Sequence, residues 1–278
     1  MIWRMMRAAL NFFSELYGYK ERTVMSGSFN DRVALVTGGS AGIGRATALA
    51  FAREGAKVVI ANRGVAGGEA TVQQIAEAGG EALLVPTDVS QSTQVEGLIA
   101  RTVEVYGRLD YAFNNAGYEG MRATIDRLPQ DDWERALQTN LTGVWSCMKY
   151  ELQQMLKQGH GAIVNMSSVV GLAGLTGISP ALVACHHGII GLTRQAALDH
   201  AKAGIRVNAV CPTVTRTERF ERVHGGNPEN EARMAARNPS GRIGEAQDAA
   251  EAVIWLCSDA SSFVVGHALV VDGGVLAQ

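Results

Sequence analysis

The chain has 278 residues, more than the roughly 100–200 of a usual domain, so one large domain or two small ones fit. Apolar residues make up 47% and charged residues 19%, which excludes a disordered chain, and Lys+Arg 25 against Asp+Glu 27 leaves a net charge of -2 with no basic block for nucleic acid. The four cysteines (Cys147, Cys185, Cys211, Cys257) lie far apart in apolar contexts and fit neither zinc spacing nor a disulfide scaffold, so no metal centre and a reduced, cytoplasmic setting are expected.

The first segment, residues 1–30, reads as an N-terminal arm. Trp3, Met6, Leu10, Phe13 and Tyr17 recur at helical steps and make one apolar face, while Arg4 and Arg7 and the missing small-residue cleavage site argue against a secretory signal. Three readings stay open: packing on its own domain or a second subunit, a membrane-surface helix, or a true start at Met25. No apolar run in the chain reaches the ~18 residues of a membrane span.

From Asp31 onward strands and helices are predicted to alternate. Val33–Thr37 precedes a helical pattern over Ile43–Glu54; Lys57–Ala61 precedes Gly67–Ala78; Ala82–Pro86 precedes Gln91–Tyr106. Leu109–Phe113 then leads to Asp131–Lys157, Ala162–Met166 to Ala181–Ala203, and Arg206–Val210 through Glu245–Ser258 to Ala268–Val271. The strands are apolar throughout, as when helices cover both sheet faces. A single α/β domain over 31–278 is expected, with a doubly wound, parallel, seven-stranded sheet. Right-handed crossovers align the strand C-terminal ends along one edge, where ligands bind. Only 212–244 breaks the rhythm, and this long, charged, irregular insert is predicted to be a lid.

At the end of the first strand stands Thr37-Gly38-Gly39-Ser40-Ala41-Gly42-Ile43-Gly44. Glycines there let the backbone approach a pyrophosphate, and the following helix supplies N–H groups and a positive dipole end. With this turn the chain resembles the short-chain dehydrogenase/reductase family over about residues 30–278. Asp88-Val89 matches the family's adenine contact, Asn114-Asn115-Ala116-Gly117 its segment beside the cofactor, and Asn140 its helix asparagine. Ser168 matches the active-site serine and Val271-Asp272-Gly273-Gly274 the C-terminal segment.

The resemblance implies a Rossmann-type fold, hydride transfer between NAD(P) and a small alcohol or carbonyl substrate, and homo-oligomers, here a homotetramer. It implies cofactor contacts from Gly38, Ser40, Gly42, Ile43, Gly44, Asp88, Val89, Asn115, Ala116, Gly117, His186, Pro212, Thr213, Val214 and Thr215, with Ser168, Asn140 and His186 as catalytic candidates. Cofactor choice is read at Asn62-Arg63: asparagine removes the repulsion an aspartate would exert on a 2′-phosphate, and Arg63 can pair with it. NADP(H) is therefore favoured over NAD(H), against the alternative that Arg63 is simply solvated.

The pattern breaks where the family carries a tyrosine and, four residues later, a lysine. Aligned on Gly191-Leu192-Thr193, Leu182 takes the tyrosine position and His186 the lysine position; a spacing from Ser168 one residue longer than usual leaves Ala181 as a second counterpart. Neither Leu182 nor Ala181 moves a proton. Pro212-Thr213 replaces the family's Pro-Gly and adds bulk near the nicotinamide. His186, titrating near neutrality, can take part of the lysine's role or merely fill its space. Tyr118 is a candidate substitute acid. Cys185 beside His186 fails as a thiolate pair, and adding His187 fails as a metal site, because neighbouring helical residues point apart. The expected activity is thus an NAD(P)-dependent oxidoreductase with weakened or altered catalysis. The alternatives are a redox-inactive, NAD(P)-binding pseudoenzyme and a lyase or isomerase using Ser168 and His186.

Overall fold

The computed structural model describes residues 29–225 and 227–278. The expected apolar face of Trp3, Met6, Leu10, Phe13 and Tyr17 and the alternative start at Met25 lie outside them.

The seven apolar runs become strands: β1 (Val33–Thr37), β2 (Lys57–Asn62), β3 (Ala82–Pro86), β4 (Tyr111–Asn114), β5 (Gly161–Met166), β6 (Ile205–Pro212) and, last in the chain, β9 (Ala268–Val271). They form one parallel sheet in the order β3-β2-β1-β4-β5-β6-β9. Helices α1 (Gly42–Arg53), α2 (Val65–Glu77) and α9 (Ala246–Cys257) bury Phe51, Ile75 and Ile254 against one face. Helices α3 (Ser92–Tyr106), α5 (Gly143–Gln158) and α6 (Pro180–His200) bury Leu98, Met155 and Ala197 against the other. Each large apolar side chain so enclosed contributes roughly 1.5–3 kcal/mol. With both faces covered, alternation is lost and β1 is buried at every position.

Three expectations need correction. The arm does not extend to residue 30: Phe29 is buried between Phe51 and Tyr111, with ring centroids 5.7 and 4.7 Å away, so it belongs to the domain core. The helix expected over Asp131–Lys157 is α4 (Gln130–Ala136), a π-helical stretch (Leu137–Thr142) and α5 in succession, and the widened turn carries the buried Asn140. Such bulges often mark functional sites. The insert over 212–244 is not irregular. Its short strands β7 (Thr215–Arg216) and β8 (Gly244–Glu245) pair in parallel and flank α7 (Glu218–His224) and α8 (Pro228–Ala235). Side-chain caps begin both helices: Thr217 accepts from the Phe220 N–H at 3.2 Å, and Asn227 from the Asn230 N–H at 3.0 Å.

Under the sheet lies a buried polar cluster. The Asn114 amide donates to Glu151 and to Asn165, each at 3.0 Å, and Asn165 donates to Thr193 at 2.9 Å. Glu151 Oε1 and Asn114 Oδ1 have no partner, and burial lifts the Glu151 carboxyl to about 8. At neutral pH this carboxyl is therefore held mostly as the acid.

Candidate active site

The strand order reverses between β1 and β4, and there a cleft of about 600 Å3 opens at the strand C-terminal ends. Thr37, the last residue of β1, fixes its floor. Its hydroxyl accepts from the N–H groups of Asn115 and Ala116 at 2.9 and 3.0 Å, and Asn115 Nδ2 donates to the carbonyls of Thr37 and Gly38 at 3.0 and 3.2 Å. The loop after β4 is thereby tied to the glycine turn. Gly38 and Gly42 take positive φ of 66° and 53°, which only glycine adopts cheaply, and the turn brings its backbone to the cleft.

At one end, Ser40 donates to Asn62 Oδ1 at 3.0 Å, and the Asn62 amide donates to the Gly64 carbonyl at 2.7 Å. Arg63 is exposed beside them. The carboxylate of Asp88 accepts from the Ser90 N–H and hydroxyl at 3.0 and 2.7 Å, which fixes the Asp88-Val89 wall. Gly38, Ser40, Gly42, Ile43, Asn62, Arg63, Asp88 and Val89 all line this half, and Asn115, Ala116 and Gly117 the middle.

The other end gathers Asn140, Ser168, Leu182, His186, Thr213, Val214 and Thr215. Asn140 grips the backbone of Tyr118 from both sides, accepting from its N–H at 2.6 Å and donating to its carbonyl at 2.7 Å. Ser168 caps a short 3-10 turn (Val169–Gly171), and its hydroxyl donates to the Pro212 carbonyl at 3.3 Å. Of the two counterparts for the tyrosine, Leu182 lines the cleft, whereas Ala181 is wholly buried and does not. Thr213 stays outside the left-handed region, so it adds bulk without backbone strain.

Two expected cofactor contacts are placed elsewhere. A Cβ on Gly44 would fall 2.2 Å from the Gly38 carbonyl oxygen and 2.5 Å from Asn115 Nδ2, so this glycine lets α1 close against the turn behind the cleft. Pro212 lines a separate cavity of about 220 Å3 with Asn238 and Arg242, and its carbonyl accepts from the cleft residue Ser168.

The expectation that His186 titrates near neutrality is also overturned. Burial, and secondarily the neighbouring His187, pull its pKa to about 4, so the imidazole is neutral. Its Nδ1 is buried without a partner and can take a hydrogen bond, but it supplies no positive charge. His187 is exposed and bonds the Val183 carbonyl at 2.9 Å. Burial pushes the Cys185 thiol up to about 11. All four cysteines are free and buried, and among the described residues no group of three His, Cys, Asp or Glu is placed to hold a metal. The Tyr118 phenol donates to Asp132 at 2.6 Å, which raises its pKa. Sequence reasoning overlooked Thr37 as the tie across the floor, and it overlooked the cleft-lining Glu119 and Arg122 on the loop after β4 and Glu218 and Arg219 at the start of α7, none of which carries a local signature.

The arrangement fits a dinucleotide: a positive helix end sits mid-cleft, with a ribose-reading pair at one end and a serine hydroxyl at the other. A family model described as Enoyl-(Acyl carrier protein) reductase matches residues 38–276. Cyclohexanol dehydrogenase of Acinetobacter sp. (strain SE19) is 38% identical over 250 residues, which are 90% of this chain and 97% of that protein. Cis-4-hydroxycyclohexanecarboxylate dehydrogenase of Sinomonas cyclohexanicum is 42% identical over 253 residues, covering 91% of this chain and 100% of that one. The crystal structure of levodione reductase superposes with a TM-score of 0.85 at 36% identity, covering 90% of this chain and 99% of its own.

Proposed function

Since the chain belongs to the short-chain dehydrogenase/reductase family, we propose that its cleft binds NADP(H) in preference to NAD(H) and interconverts small alcohols and ketones, with turnover held far below an intact site. The carrying observation is the pair of side chains beside Ser168. Leu182 cannot donate a proton, and half-buried His186 is neutral where a cation would tune one.

A bound nicotinamide supplies or accepts the hydride. The chain's own part is to seat the diphosphate on the Gly42-Ile43 start of α1, turn the substrate oxygen toward Ser168, and deliver the proton. Seating and orientation are preserved, and positioning alone contributes substantially to rate. Ser168 Oγ can leave the Pro212 carbonyl for a substrate oxygen, but a hydroxyl near its ordinary pKa is a poor net donor. The missing acid–base group is worth about 10²–10⁴-fold. The six-membered rings named in two relatives make cyclic alcohols and ketones the first substrates to screen. A second reading, a redox-inactive nucleotide-binding scaffold or sensor, is favoured by Asn140 spending its oxygen and one amide N–H on the Tyr118 backbone. Fluorescence titration with NADPH and NADH, paired with a turnover screen on these substrates, separates the two.

The preference for NADP(H) rests on Arg63, which is exposed at the cleft end beside Asn62. Arg63→Ala is expected to weaken NADPH binding about tenfold or more, as for a lost charge-assisted phosphate contact, while NADH changes little. Equal losses for both would remove the preference.

A homotetramer with two-fold interfaces is also proposed. Its support is apolar surface left open on the long helices and near the C-terminus: Trp145 on α5 is 46% exposed, Leu198 on α6 76% and Phe263 100%. Light scattering at micromolar concentration is expected to give four times the chain mass, and a monomer would contradict the assignment. A reducing, cytoplasmic setting is consistent with the four unpaired cysteines.

A further inference from the structure

The lid reaches across the cleft through two consecutive residues of α7. At the glycine turn, Glu218 Oε2 accepts from the Gly42 N–H at 2.7 Å, while its Oε1 accepts from Arg45 Nη1 at 2.8 Å. Thr217 presses on the same turn, where a Cβ on Gly42 would fall 2.9 Å from its methyl group. At the opposite wall, Arg219 pairs with Glu119, which Arg122 also approaches at 3.5 Å. The lid is thus fastened on both sides of the cleft.

The Glu218 contact has the chemistry of an anion site. An N–H at the start of the twelve-residue α1 and a guanidinium on its first turn converge on two oxygens of one carboxylate. A phosphate bound at this helix end would present the same negative oxygens to the same donors. We infer that Glu218 is a built-in competitor for the cofactor's diphosphate and so a determinant of cofactor affinity. Cofactor entry then requires the carboxylate to leave Gly42 and Arg45 and α7 to lift from the turn. This inference rests on reading the cleft as a dinucleotide site.

Because Glu218 is half exposed, its ion pair with Arg45 is weak and the competition must be modest. Glu218→Gln keeps the side-chain length and removes the charge. It is expected to tighten NADPH binding about five- to tenfold by fluorescence titration and to speed association in stopped flow. Inorganic pyrophosphate added to the cofactor-free protein should bind tighter by a similar factor. Glu229→Gln is the control: it removes an exposed carboxylate from α8 that does not line the cleft, and it should shift affinity less than about twofold. Unchanged affinity in Glu218→Gln would overturn the competition and leave the cofactor site standing. Equal tightening in both variants would also overturn it, assigning the effect to overall lid charge. Failure of wild type and Glu218→Gln alike to bind NADPH or NADH would overturn the cofactor reading itself, and this inference with it.

Discussion

Replacing Leu182 by tyrosine and His186 by lysine together is expected to raise ketone reduction about a hundredfold, the lower end of what a positioned acid–base group contributes. The order of magnitude follows from what the two side chains lack. Hydride arrival leaves a developing alkoxide that needs a proton, and among the described residues around Ser168 none is tuned as its acid: Leu182 is inert, His186 is a neutral imidazole, and the Tyr118 hydroxyl is committed to Asp132. Each single change should do little. A phenol at position 182 without a neighbouring cation keeps a pKa near its ordinary value of about 10. A lysine alone at 186 enters the environment that already forces the imidazole to stay neutral, so it too is driven toward its uncharged form. Together the ammonium would lower the phenol's pKa and be stabilised by it, so the gains should be strongly non-additive. Thr213→Gly belongs in the same series, because the threonine side chain lines this end of the cleft. A full gain from either single change would show that the two groups do not act as a unit.

Glu151 is expected to make stability fall as pH rises. Its carboxyl is wholly buried, and its folded pKa of about 8 stands above the ordinary 4.5. Between those values the folded chain holds a proton that the unfolded chain has released, so unfolding gains ground with each pH step. The contribution is fully favourable below about 4.5, is lost progressively up to about 8, and is constant beyond. At about 1.4 kcal/mol per pH unit the loss reaches several kcal/mol, or on the order of 10 °C in melting temperature for a chain of this size. Glu151→Gln preserves the shape and removes the titration. Its melting temperature should change much less than that of the wild type between pH 5 and 9 and exceed it at the alkaline end. The difference between the two proteins isolates this group from the tyrosines and cysteines that also titrate there. Parallel melting curves across that range would mean that Glu151 is ionised in the folded protein at neutral pH.

Much of this site was legible because its signals are local. The turn from Gly38 to Gly44, the Asp88-Val89 pair and Asn115-Ala116-Gly117 each follow a strand directly, so sheet topology alone carries them to one edge. What failed were properties set by packing. The resemblance sets His186 at the position where the family carries a lysine, but it says nothing of surroundings that exclude the proton. Gly44 looks like a ligand contact from spacing, yet what it meets is the Gly38 carbonyl. The lid read as irregular because its helices are only seven and eight residues long and rich in charge, although Thr217 and Asn227-Pro228 were cap signals in plain view. Glu218 and Gly42 are 176 residues apart, and no spacing rule links them. Phe29 was assigned to the arm because the strand pattern begins only at Val33, while its burial depends on Phe51 and Tyr111.

On the proposed reading the cleft keeps its cofactor and has lost most of its acid–base chemistry. The most direct test is the steady-state rate of NADPH oxidation by the unmodified protein, at cofactor saturation fixed by fluorescence titration, over a panel of cyclic ketones. The expected result is saturable cofactor binding with turnover about a hundredfold or more below that of a family member carrying the tyrosine and lysine, as the loss of acid–base catalysis dictates. Turnover equal to that of such a member on any ketone of the panel would contradict the account and make Tyr118 the first residue to replace.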